Sequence, residues 1–279
     1  MRFGITMFMT DETMGPVDLA RAAEERGFSS LYIPEHTHIP ASRRTPSPTG
    51  GEDLAEEYRR TLDPFVALAA AAACTERITL GTGVCVLAQH EPIVTAKAIA
   101  TLDMLSRGRF VLGIGFGWNV EEMEDHGIDV RRRRELVREH VLAMRALWAD
   151  DVASFDGEFV RFEPSWSWPK PVQRPGPPVL IGGAAGPKLF AAIADYADGW
   201  IPIGGGGVRA ALPELRRRAE AAGRDPSTLR VVPFGVLPDP GKLDYYASLG
   251  IEEVVLRIPA GSAGEVLPVL DAHAKLVAS

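Results

Sequence analysis

Short apolar runs alternate with longer amphipathic stretches from one end of the chain to the other. The runs at 2–8, 29–34, 78–87, 109–115, 179–182, 199–203, 229–235 and 253–258 read as strands. The fourth contains VLGIG, apolar at nearly every position, as a strand covered on both faces requires. Helical patterns follow them in turn at about 16–26, 62–74, 92–105, 131–149, 187–196, 208–222 and 241–249, with a last one reaching about 275. The fourth helix has the clearest period: Leu136, Val137, His140, Val141, Met144, Leu147 and Trp148 share one stripe, with arginines and glutamates opposite. Pro16 near the start and Gly27 after the end bracket the first helix.

Eight strand–helix units in 279 residues predict a single α/β domain over 1–279, a (β/α)8 TIM barrel, in preference to an open doubly wound sheet, which usually has fewer strands. Two stretches interrupt the alternation, giving insertions after strands 2 and 4. The polar segment from His36 to about Glu57, with ASRRTPSPTGGED in its middle, is too long for a simple connection and reads as a lid or insertion. The stretch 150–178 carries a hairpin signal at Asp156-Gly157 and then a proline-rich crossing.

Composition narrows the partners. The 46% hydrophobic and 24% charged fractions are those of an ordinary soluble chain, and 28 glycines with 22 prolines imply many turns. A net charge of −7 supplies no field for a polyanion, so nucleic acid is not an expected partner. Cys74 and Cys85 form no disulfide framework and read as small buried hydrophobes in a reducing compartment. The opening MRFGITMF lacks the features of a signal peptide, and the longest apolar run, Phe65 to Cys74, is too short to cross a bilayer. A cytoplasmic protein without membrane contact is expected.

In a barrel, chemistry sits just beyond the C-terminal ends of the strands. After strand 2 stand Glu35, His36 and His38; after strand 3, Gly83, Val84 and Cys85, with Gln89 and His90 beyond; after strand 4, Phe116, Gly117, Trp118 and Asn119; after strand 5, Gly182 to Lys188. His36 is the leading catalytic candidate, because imidazole exchanges protons near neutrality and the adjacent Glu35 carboxylate can tune it. A histidine that merely hydrogen-bonds at a strand end would look the same. His36-Thr37-His38 also has the spacing of a metal hydrolase's paired imidazoles, but later strands end in Ile-Gly-Gly, Ile-Pro-Ile and Arg-Ile-Pro, which offer no further ligands, so no metal is expected. Gly182, Gly183, Ala184, Gly186 and Lys188 lie in a strand–turn–helix start that suits a phosphate, or simply form a tight turn. Gly113-Ile114-Gly115-Phe116-Gly117 is spaced GxGxG, unlike a dinucleotide fingerprint, and would let a flat ring lie against the strand ends, with Trp118 either stacking on it or packing. Arg131 to Arg134 reads as a solvated helix start.

Taken in order, Tyr32-Ile33-Pro34-Glu35-His36, Leu80-Gly81-Thr82-Gly83-Val84, Ser106 to Phe110, Gly113 to Asn119, Pro178 to Gly183 and Ala197-Asp198-Gly199-Trp200 resemble the bacterial luciferase-like monooxygenase superfamily over nearly the whole chain. Within it the sequence looks most like the branch of oxidoreductases that use the deazaflavin coenzyme F420. The resemblance implies a dimeric TIM barrel with a deazaflavin or flavin at the strand C-termini and a non-prolyl cis peptide at Gly83-Val84 against the central ring. It implies Glu35 and His36 as the acidic–histidine pair, and the coenzyme phosphate at Gly182, Gly183 and Gly186 to Lys188. Phe116, Gly117 and Trp118 would line the coenzyme and substrate pocket. Sugar-phosphate dehydrogenases of the superfamily carry glutamate where Trp118 stands, so an apolar or aromatic small-molecule substrate is expected instead. The implied reaction is hydride transfer to or from reduced F420. The alternatives are an FMN-dependent monooxygenase, which would need a reductase partner, a metal hydrolase, and a catalytically idle ligand-binding barrel.

Overall fold

In the computed structural model, which describes residues 1–48, 50 and 53–277, parallel strands wind in sequence around a ring. They are β1 (Arg2–Thr6), β2 (Ser30–Ile33), β3 (Thr79–Thr82), β4 (Phe110–Ile114), β7 (Val179–Gly182), β8 (Gly199–Ile201), β9 (Arg230–Val231), β10 (Phe234–Val236) and β11 (Glu253–Arg257). The sheet order is β10-β11-β1-β2-β3-β4-β7-β8-β9. β9 and β10 are two halves of one barrel position, parted at Pro233, which has no N–H for a ladder. Val232 N donates to Trp200 O at 2.9 Å and Phe234 N to Pro202 O at 3.1 Å, so the second half continues along β8 and closes the ring. The predicted strand at 229–235 is therefore one barrel position made in two pieces.

Helices α1 (Pro16–Glu25), α2 (Pro64–Ala73), α3 (Pro92–Leu105), α5 (Arg133–Ala149), α6 (Pro187–Tyr196), α7 (Val208–Ala221), α8 (Pro240–Ser248) and α9 (Ala263–Val277) follow the eight barrel positions. Four of the first six begin with proline at the first turn, a position that needs no donor. The exceptions are α5, where Arg133 opens the helix, and α7, which opens at Val208 and carries Pro213 inside. That rule does extend to α8. Tyr32, Val111, Leu180, Ile201, Val232, Phe234 and Val255 fill the barrel interior, with Val84 packed against them. A larger core lies between strands and helices, including Trp148 and Trp200, each about 1% exposed.

Three differences from the sequence-based expectations matter for the site. The strand expected over 78–87 ends at Thr82; a cis peptide at Gly83-Val84 follows, and the chain continues into a 3-10 turn at Leu87–Gln89. A short helix, α4 (Val120–Asp125), precedes α5 and is too brief for periodicity to reveal. The segment 34–63 between β2 and α2 runs through a 3-10 turn at Glu56–Arg59. Thr49, Gly51 and Glu52 of the expected lid lie outside the described residues. The stretch 150–178 holds an antiparallel hairpin of β5 (Ala153–Asp156) and β6 (Arg161–Ser165), closed by Gly157 N donating to Val160 O. Among the described residues no helix is long and apolar enough to cross a membrane.

Candidate active site

His36 leaves the end of β2 and its side chain is only 7% exposed. Nδ1 lies 2.9 Å from Glu122 Oε2, and Trp118 Nε1 lies 3.3 Å from Nε2. An indole N–H can only donate, so Nε2 accepts; Nδ1 then carries the proton and donates it to Glu122. The tautomer is thus fixed from both sides. The Trp118 ring stands edge-on at 5.6 Å, Tyr58 lies at 5.5 Å, and Phe8 backs Tyr58 at 4.7 Å. The imidazole therefore sits in an aromatic recess formed by three separate parts of the chain.

The carboxylate that meets His36 is Glu122 of α4, and this corrects the expectation for Glu35. Glu35 turns away: Oε2 accepts the Val86 amide at 2.7 Å, and Oε1 lies 2.7 Å from His90 Nε2. Burial alone would raise the Glu35 carboxyl, but the bonds from His90 and Val86 outweigh it and hold the group below its usual range. Burial likewise opposes charge on His90, yet the Glu35 carboxylate raises it. Sequence reasoning missed Glu122 because VEEMED resembles a solvated helix face. Its hint was the acidic pair Glu121-Glu122 one residue beyond Gly-Trp-Asn, just before the buried Met123.

Glu121 and Glu122 of α4 are both buried, and both tie down the segment that follows β2. Besides His36, Glu122 accepts the Thr37 amide at 3.2 Å. Glu121 accepts the amides of Arg44 and Thr45 at 3.1 and 3.3 Å and the Thr45 hydroxyl at 2.7 Å. The hydroxyl bond, with burial opposing and the amides assisting, holds the Glu121 carboxyl down to about 2. Further along, the His36 amide donates to Thr61 Oγ1, which donates back to the His36 carbonyl. His38 engages Asp125 at 3.1 Å, so the two imidazoles of the HxH sequence face separate carboxylates.

The remaining predicted residues divide into a wall and a turn. The Gly83-Val84 peptide is cis, as the resemblance implies. A Cβ on Gly115 or Gly182 would come within 2.7 Å of the Val84 methyls, so side-chain-free strand ends are what let Val84 lie across β4 and β7. Cys85 is fully buried, its amide bonded to Gly113 O. Phe116 lies beneath the Arg134 guanidinium at 4.0 Å. Gly117 takes a left-handed φ of 76° before Trp118. Asn119 is 1% exposed, yet neither atom of its amide has a partner among the described residues. At the end of β7, Gly183 O accepts from Trp200 Nε1 at 2.8 Å, and Gly186 begins α6 with no side chain capping it. Ala184 and Lys188 are exposed on that turn. A separate cavity of about 520 Å³ opens at the opposite end of the barrel, beside Arg2, Arg230 and Glu253, and contains none of the expected residues.

Comparison with known proteins agrees with this layout. The family model for luciferase-like monooxygenases matches residues 10–237. An uncharacterised protein of Mycobacterium tuberculosis is 47% identical over 268 residues, covering 95% of this chain and 94% of that one. The F420-dependent hydroxymycolic acid dehydrogenase of the same organism is 30% identical, covering 79% of this chain and 58% of the relative. Among solved structures, the monooxygenase RslO1 from Streptomyces bottropensis matches with a TM-score of 0.77 at 24% identity, covering 99% of this chain and 98% of that one. An F420-dependent secondary alcohol dehydrogenase in complex with an F420-acetone adduct matches at 0.76 and 19% identity, with the same coverage. At these identities both structures speak for the fold.

Proposed function

Since the chain belongs to the luciferase-like monooxygenase family, we propose that it is an oxidoreductase transferring a hydride between coenzyme F420 and a small apolar or aromatic substrate, with His36 moving the accompanying proton. The observation that carries this reading is the His36 imidazole held between Glu122 and Trp118. Its Nε2 lone pair takes up a proton, and Glu122 on Nδ1–H stabilises the imidazolium that results; the reverse step delivers the proton. Glu35 supports the strand end from behind, through Val86 and His90, without touching the His36 ring.

The residues present fit a flat coenzyme with an anionic tail. The unpartnered amide of buried Asn119 offers both a donor and an acceptor to a ligand. Val84, lying over side-chain-free strand ends, offers a ring an apolar wall. The uncapped start of α6 after Gly182 and Gly183, with Ala184, Gly186 and Lys188 beside it, suits the phosphate. Gly83, Phe116 and Gly117 belong to the same proposed site, whereas Cys85, fully buried, offers it no surface. When bound, the coenzyme supplies or accepts the hydride at its central ring, while the protein contributes orientation and the proton. The relative named as an F420-dependent dehydrogenase supports F420. The family's monooxygenase description supports the second reading, FMN with a partner reductase.

Paired fluorescence titrations with F420 and FMN test the coenzyme, and preference for FMN would overturn the first reading. His36→Ala should lower turnover much more than coenzyme affinity; the opposite pattern would overturn its role. A homodimer belongs to the same proposal. Exposed Trp166, Trp168 and Val172 support it, and light scattering checks it.

A further inference from the structure

Behind the His36 recess, three metal-ligating side chains of different chemistry converge. The nearest donor atoms of Glu35, Cys85 and His90 all lie within 4.8 Å of one another. Glu35 and Cys85 are buried, and His90 keeps 17% of its side chain open. We propose that this cluster binds one divalent zinc-like ion, through a Glu35 carboxylate oxygen, Cys85 Sγ and His90 Nε2.

Carboxylate, thiolate and imidazole are the donors zinc takes, at about 2.0–2.3 Å. Three such donors around a tetrahedral ion stand roughly 3.3–3.7 Å apart. To reach that geometry the Glu35–His90 contact widens from 2.7 Å, while Cys85 Sγ already lies within 4.8 Å of both partners. The Val86 amide already orients the second Glu35 oxygen, as an outer-shell partner does. Phe65 packs edge-on against His90 at 5.6 Å and fixes the ring's attitude. The partly open side of His90 leaves the fourth position to water.

Charge balance allows the exchange at a buried site, where unbalanced charge is expensive. Starting from a Glu35 carboxylate and a His90 imidazolium, one dication enters as two protons leave, one from the Cys85 thiol and one from His90 Nε2. The net charge of the cluster is unchanged, and nothing is oxidised or reduced. The ion would clamp the ends of β2 and β3 together, and the assignment stands apart from the coenzyme reading because His36, Glu122 and Trp118 take no part in it.

Cobalt(II) titration of the reduced, metal-stripped protein without air tests the site. The expected result is a thiolate-to-cobalt charge-transfer band in the near ultraviolet that saturates at one equivalent and is removed by one equivalent of zinc. His90→Ala should weaken binding by at least an order of magnitude, and Cys85→Ser should abolish the band. Cys74→Ser should leave it intact, because Cys74 Sγ is engaged by Ala71 O and Val17 O. No band in the wild-type protein, saturation beyond one equivalent, or a band that survives Cys85→Ser would overturn the proposal. The wild-type titration decides even if a variant fails to fold.

Discussion

Replacing Glu122 by glutamine probes the tautomer of His36 directly. The two Glu122 oxygens each receive one donor, Nδ1–H of His36 at 2.9 Å and the Thr37 amide at 3.2 Å. Glutamine accepts through only one atom, so its NH2 must oppose one of those donors. If it opposes the ring, His36 can adapt only by moving its proton to Nε2, where it meets the Trp118 indole N–H. Leaving one buried donor unsatisfied costs about 1–3 kcal/mol. At this chain length each kcal/mol lowers the melting temperature by about 2–4 °C. Trp118→Phe removes the opposing indole donor and should relieve part of the damage, giving a non-additive double mutant with a coupling on the order of 1 kcal/mol. Thermal melts of the four proteins measure the coupling. Imidazole 1H–15N correlation spectra at mildly alkaline pH should show the Nδ1–H tautomer in the wild type. An Nε2–H wild-type ring, or strictly additive melts, would refute the reasoning.

Gly182→Ala places a Cβ 2.7 Å from Val84 Cγ1, so it should displace the wall and weaken F420 binding while leaving the helices folded, as checked by titration and circular dichroism. The Glu121 carboxyl is depressed to about 2, so its stabilising effect is complete above the ordinary carboxylate value of about 4.5 and fades as pH falls from there toward 2. The difference in melting temperature between wild type and Glu121→Gln should shrink over that interval, and a difference independent of pH would contradict the assignment. Thr45→Val removes the hydroxyl bond to Glu121 and should hasten proteolysis within 36–63, as read by limited digestion.

Much of the barrel was legible because its signals are local. The apolar run of β4 and the single stripe of α5 each declare one element without reference to the rest of the chain. The glycine turn after β7 was equally visible, since glycine and proline punctuate it. What stayed hidden depends on distant partners. Glu122 is buried because His36 and Thr37, more than eighty residues earlier, bring it donors. Glu35 was paired with His36 by adjacency, yet neighbours along an extended segment point apart, and its partners come from the chain beyond β3. The apolar pattern through 83–87 continued past the true end of β3 because the departing chain stays buried.

The side chains that fill the barrel, from Tyr32 and Phe234 to Val255, act as a bulkhead. On one side lies the His36 recess; on the other, Glu253 is held by Ser30 at 2.6 Å and Arg230 at 3.0 Å. With these side chains packed across the middle, the two ends are separate compartments, and changes to the floor reach the recess through the staves between them. A fusion, label or surface immobilisation attached beside Arg2 or Arg230 would leave the opposite mouth clear, which makes the floor the practical handle for engineering this molecule.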